Sequence, residues 1–420
     1  MSKDKEKYIK WCIKLICVSI FTISYIMIGG CSKESDNNIE ETTKVNENNN
    51  GNNDINNNIN NNINISNNGV IDLENYSLEY VNGTDSTPWY FWSYVAESEW
   101  GYYMWDWVNI GDTNEYRVMF LDKETKQYVP LCSNPNCGHD VEGCNALFLS
   151  GESDDMENSF IYYNDGNVYV VGKDKEDYIC LYRIAEDGSS REKYMKLYKA
   201  NIIITNDENG NMYSEFYYPE VCIHRGYVYF IINKESELKI RRVKLGEENV
   251  EEIFSMTGER QDLYRMEAYG DYLFFQGGNF VDEHYMDIDG GIMAYNINTG
   301  EITIVKKGAI STFCISNGNI YYGTSDGISV YSLTDLTDMV LLNSIDPYPS
   351  FIVNDNYVFI ADKNLKVYDL DGKLVREIED KRIEINNLLW GRQLLFAING
   401  KTYLYLGTED INNAKWIAIK

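Results

Sequence analysis

Positive charge and proline are both scarce in this 420-residue chain. Lys and Arg number 37 against 65 Asp and Glu, a formal net charge of −28, so nucleic acid is not an expected partner, because phosphate contacts need clustered cations. Proline stands at 6 and tyrosine at 35, a balance that suits a strand-rich chain better than a helical bundle. Two catalytic signatures are missing as well: there is no His-Glu-x-x-His and no phosphate-binding glycine loop. Their absence argues against the hydrolase and nucleotide chemistries that leave such marks. A carboxylate pair drawn from distant parts of a fold leaves none.

What is present begins with an address. Lys3, Lys5, Lys7, Lys10 and Lys14 precede the apolar run Leu15 to Ile28, which has the length of a signal-peptide core and is short for a membrane span. The run ends Ile28-Gly29-Gly30-Cys31, which resembles the lipobox of bacterial lipoprotein precursors. That resemblance implies cleavage before Cys31, which would become a lipid-bearing N-terminus on the outer face of the cell membrane. Cleavage removes five Lys, Asp4 and Glu6, a net +3, and takes the formal charge from −28 to −31. From Asp36 to Asn68, 17 residues are Asn and none is aromatic, leaving too little apolar surface to offset the entropy of ordering. The division expected is therefore a signal peptide over 1–30, an Asn-rich disordered tether over 31–69 with a span of roughly 30 Å, and a folded domain over 70–420.

The folded part repeats a small unit. Between Phe351 and Ile378, four runs rich in β-branched and aromatic residues are separated by Asn354-Asp355-Asn356, Asp362-Lys363-Asn364 and Asp371-Gly372, which predicts four antiparallel strands joined by tight turns. Such a sheet cannot bury both faces by itself, so copies must flank it, the pattern of a β-propeller blade. A second strand opening on Gly or Asn recurs at Gly101, Gly166, Gly226, Gly270, Gly318, Asn356 and Gly391, spaced 65, 60, 44, 48, 38 and 35 residues apart. The third strands carry Phe120, Tyr182, Tyr295, Tyr331, Tyr368 and Tyr405, with Arg242 the exception. The expected fold is an all-β propeller of about seven four-stranded blades, closed by a strand near Tyr76 to Val81; paired β-sandwiches are the runner-up.

The lipobox, the Gly-x-[Val/Ile/Tyr]-Tyr strands and the segment from Tyr128-Val129-Pro130-Leu131-Cys132 to Cys144 together resemble the propeller domains of Gram-positive lipoproteins of largely unassigned function. Their propellers are similar to the low-density-lipoprotein-receptor-like and Tol-type propellers. The resemblance implies a fold and a location, and no reaction.

One loop, 131–145, is dense in metal-binding residue types: Cys132, Cys137, His139 and Cys144. Three thiolates and an imidazole form a set suited to tetrahedral, structural Zn. A disulfide among these Cys is the competing reading in an exported chain, and a metal or redox sensor is a further one. Cys180, Cys222 and Cys314 sit in strand-like runs and read as small buried hydrophobes. The aromatic stretch from Trp89 through Trp92 to Trp100, Trp105 and Trp107, interleaved with Glu97, Glu99 and Asp106, either wedges between blades or presents rings to a sugar. The loop Asp282 to Gly291 hints weakly at Ca. The function expected is that of a lipid-anchored, non-catalytic binding platform for a carbohydrate polymer or a protein; a propeller glycosidase or lyase is the rival.

Overall fold

The strand Tyr227–Lys234 shows how the sequence builds the architecture. Its residues alternate faces, as a pleated strand requires: Val228, Phe230 and Ile232 pack into one apolar cluster, Tyr229 and Ile231 into another. The first cluster is shared with Val171 and Leu181 of the preceding sheet, the second with Leu273 and Phe275 of the following one. The same split recurs in Asn167–Lys173 (Val168 and Val170 against Tyr169 and Val171) and in Tyr272–Phe280 (Tyr272 and Phe274 against Leu273 and Phe275). Each sheet is thus apolar on both faces and is buried only between two others.

The computed structural model describes residues 65–66 and, between 95 and 418, all but 112, 150–159, 201, 207–211, 217–219, 235–236, 258–260, 281–287, 344–348, 350, 355, 362–363, 380–393, 399–400 and 406–415. These described residues belong to one compact unit, Gly51–Lys420. They form a β-propeller of six four-stranded blades. The inner strands are Val95–Glu97, Ile161–Asn164, Val221–His224, Gln261–Tyr269, Phe313–Ser316 and Phe351–Val353. Each lies beside the next in that order, and five apolar clusters fill the successive spaces between blades. Paired sandwiches would need two separate cores, and this relay of inter-blade cores overturns that alternative.

Among the described residues six blades have four strands, where the sequence suggests about seven. The seventh cycle supplies a three-stranded sheet, Leu394–Ile398, Lys401–Tyr405 and Trp416–Ala418; the run that would precede it falls in 380–393, outside the described residues. So does the expected closing strand near Tyr76 to Val81. Within the Asn-rich segment, Ile65–Ser66 adds a parallel strand to the outer strand of blade 4, with Ile65 opposite Ile302.

The turn residues behave as their chemistry asks. Asp165-Gly166, Arg225-Gly226 and Asn317-Gly318 each have two positive φ values within a two-residue hairpin, the conformation whose twist matches the flanking strands. Arg242 stands where other third strands have an aromatic. Its guanidinium lies 4.8 Å from the Tyr227 ring centre and 6.0 Å from that of Tyr295, and its Nε donates to Glu251 at 2.7 Å. A planar cation stacked on rings fills an aromatic position.

Polar side chains tie the inner strands together. Glu220 accepts the Met266 N–H at 3.0 Å, joining blade 3 to blade 4. Arg265, a bulged residue at φ +54°, donates to Phe313 O and to Cys314 Sγ, joining blade 4 to blade 5. Glu267 accepts the Ile315 N–H, and its buried Oε2 has no hydrogen-bond partner among the described residues. Burial pushes the Glu267 carboxyl up to about 7, against a smaller opposing pull from Arg265. A carboxyl raised in the folded state favours folding below its unfolded value, near 4.5, and loses that contribution as pH rises through 7. Between those limits the fold should lose on the order of 3 kcal/mol. Glu267→Gln should flatten this slope, as read by urea unfolding at pH 5 and pH 8; an unchanged slope would assign the titration elsewhere.

Candidate metal centre

In blades 2 to 6 the pairing between third and outer strand slips at least once: in blade 2 at Lys193/Met195 and Lys196/Tyr198, and in the others at Ile240/Arg241, Ile292/Met293, Ile328/Ser329 and Val367/Tyr368. These are β-bulges, which bend and twist the outer strand. Blade 1 has no such slip; the Cys loop takes its place. Its third strand, Thr113–Asp122, pairs Met119 with Pro130 of Tyr128–Pro130 and Arg117 with Leu147 of Leu147–Phe148. Between them, Val118 spans both feet of the excursion: Leu131 N–H donates to Val118 O, and Val118 N–H donates to Ala146 O, each at 2.9 Å. Residues 131–146 are therefore a bulge grown into a loop, leaving one strand and returning to it at the same register. Closing a loop this long costs entropy that local contacts must offset.

All four candidate ligands gather near that neck. Their ligand atoms lie within 4.8 Å of one another, and Cys144 Sγ is 3.6 Å from His139 Nδ1. Ligands about 2.3 Å from a tetrahedral ion stand roughly 3.8 Å apart, so a small contraction brings this set into range. Cys132 and Cys144 occupy the two feet; Cys137 and His139 come from the tip. The tip is folded by Asn134, whose carbonyl takes the Cys137 N–H at 3.1 Å and whose side chain takes the Asn136 N–H at 3.0 Å. His139 then adopts φ +59° and Gly143 φ +86°, turning the chain back, while the His139 N–H points at Cys137 Sγ at 3.4 Å.

The thiols are unequal. Burial pushes Cys132 up, but hydrogen bonds from the Asn134 and Asn145 N–H groups and from the Cys144 and Cys137 thiols together outweigh it, and the net direction is down. Burial pushes Cys144 up to about 12. Burial, and then the charge of Arg117, hold His139 below its ordinary value, in the neutral form a metal ligand needs. A dication is the charge that would ionise Cys144 in place. The cluster can hold a metal ion, and it is the only such cluster of three or more His, Cys, Asp or Glu among the described residues.

All six cysteines among the described residues are free thiols. Cys180, Cys222 and Cys314 are buried in the inter-blade clusters. Trp100 is 60 % exposed at the first turn of blade 1. Trp105 is instead packed inward, edge-on to Phe148 at 5.4 Å, so the aromatic stretch divides between the two roles weighed for it. Trp89, Trp92 and Cys31 lie outside the described residues, as does most of the Asp282 to Gly291 loop.

Sequence spacing picks out the four clustered candidate ligands and misses their setting. Val118 and Gly188, the backbone anchors of the loop, carry no chemical signature, and only the pairing of distant strands reveals them.

No family model matches the chain, and no curated protein does. Among solved structures the chain is similar to prolyl endopeptidases described for their inter-domain dynamics (TM-score 0.46, 11% identity, 80% of this chain and 50% of that one). It is also similar to TolB from Acinetobacter baumannii (0.33, 14%, 65% and 78%) and to a chain of a nidogen/laminin complex (0.34, 10%, 63% and 90%). The chain spans about half the length of the prolyl endopeptidases it matches.

Proposed function

We propose that the chain is a lipid-anchored, extracytoplasmic propeller that works as a non-catalytic binding platform, with blade 1 held by a structural Zn(II) on Cys132, Cys137, His139 and Cys144. The observation that carries this reading is the donor set itself. Three sulfurs and one nitrogen within 4.8 Å fill a tetrahedral shell, and structural zinc sites are closed in this way, whereas catalytic ones keep a position for water or substrate. Support for the address comes from Ile28-Gly29-Gly30-Cys31 and the Asn-rich spacer after it.

The face most suited to a ligand is the first turn of blade 1, where Trp100 is exposed beside Glu99 and close to the Lys123–Glu97 ion pair at 2.6 Å. An indole face with flanking carboxylates fits a sugar ring and its hydroxyls. Screened on an array of cell-surface glycans, the purified chain should bind a subset, and Trp100→Ala should weaken that binding about tenfold, the equivalent of about 1.4 kcal/mol. Binding indifferent to Trp100→Ala would move the ligand to another face. Absence of glycan binding would favour a protein partner.

A further inference from the structure

We propose that Asn145 and Gly188 are positioning residues of the metal centre, so that metal occupancy and the docking of blade 2 against blade 1 are a single coupled equilibrium. The inference rests on the zinc reading above. Its geometry comes from contacts outside the ligand set.

The residues next to two ligands converge on one acceptor. Ser133 follows Cys132, and its N–H donates to Gly188 O at 3.2 Å; Asn145 follows Cys144, and its Nδ2 donates to the same oxygen at 2.9 Å. Gly188 belongs to blade 2, in the turn between Tyr178–Ala185 and Arg191–Lys199. That turn is fixed by Gly188 N–H to Ala185 O at 2.8 Å and by Glu186 N–H to Gly166 O at 3.1 Å. Ser133 and Asn145 stand at opposite ends of the loop, and they can pinch one carbonyl only when its two feet are together. An ion that binds Cys132 and Cys144 holds them together. Arg191 reinforces the junction, donating to Leu147 O and lying 4.6 Å from the Phe148 ring centre.

The fit at Gly188 leaves no slack. Its φ is +70°, and a Cβ there would stand 2.7 Å from Cys132 N and from the Leu131 carbonyl carbon. Both obstacles are backbone at the foot of the loop, so a side chain would have to displace the ligand-bearing strand itself. Coupling of this kind is reciprocal: if the metal tightens the turn, the turn tightens the metal by the same factor.

The test is zinc transfer from the full mature chain to a chromophoric chelator, with hydrogen exchange read over residues 185–191. Gly188→Ala, which removes no ligand, and Asn145→Ala, which leaves Gly188 intact, should each release zinc about tenfold faster, the scale seen for outer partners of metal ligands. In the unaltered chain, stripping the metal should deprotect the amides of the 185–191 turn. Asn145→Ala and the exchange measurement keep the test open should Gly188→Ala fail to fold. One zinc bound and released at the same rate in Asn145→Ala, or unchanged exchange in the metal-free chain, overturns the coupling and leaves the zinc site standing. A chain that takes up no zinc at all overturns the site itself.

Discussion

Cys144→Ala is expected to abolish zinc binding and to lower the thermal midpoint by on the order of 5–10 °C. An ion that binds only the folded chain stabilises it by about 4 kcal/mol when present at a thousand times its dissociation constant, and the proposed site lies where the outer strand of blade 1 is interrupted. Cys144 is 1 % exposed, so part of the loss would come from a small cavity. Cys180→Ala separates the two effects, because Cys180 is a free thiol at 0 % exposure in the same apolar cluster. It carries the packing cost without the metal cost. A chelator should lower the midpoint of the unaltered chain and of Cys180→Ala, and leave Cys144→Ala unmoved. Equal responses from all three would remove the metal from the account of stability.

Phe230→Ala should cost about 3–5 kcal/mol, the range for a buried aromatic truncated where neighbours cannot collapse. Phe230 is fully buried between blades 2 and 3 and lies flat against Tyr198 of blade 2, with ring centres 5.5 Å apart and planes inclined by 12°. The loss therefore falls on a junction between sheets. Met339→Ala offers the contrast: Met339 is 59 % exposed on the outer strand of blade 5, and its truncation should change stability by less than about 0.5 kcal/mol. Urea unfolding gives both values. A Phe230→Ala chain within 1 kcal/mol of the parent would mean that blades do not depend on their neighbours for burial.

The repeat was legible because its determinants are local. Alternation in Tyr227-Val228-Tyr229-Phe230 and the Gly at each first turn act over a few residues, so they survive into the fold unchanged. The blade number was less so: the spacing of the turn glycines shrinks along the chain, and the last cycle shows three strands among the described residues. At Arg242 the pattern broke for a reason that lies across the sheet, in the rings of Tyr227 and Tyr295. For the candidate metal centre, the spacing of Cys132, Cys137, His139 and Cys144 named the four residues that cluster, and nothing about where their loop joins the sheet. That it interrupts one strand, and that its feet meet on Val118, depends on pairings made across the sheet. The role of Gly188 depends on contacts with residues more than forty positions away, which no local pattern encodes.

The most direct measurement is X-ray absorption at the zinc edge on the purified mature chain. One zinc per chain with three sulfurs near 2.3 Å and one nitrogen near 2.0 Å is the result expected of a closed structural site. A disulfide joining any two of Cys132, Cys137 and Cys144, with no zinc above background, would contradict it.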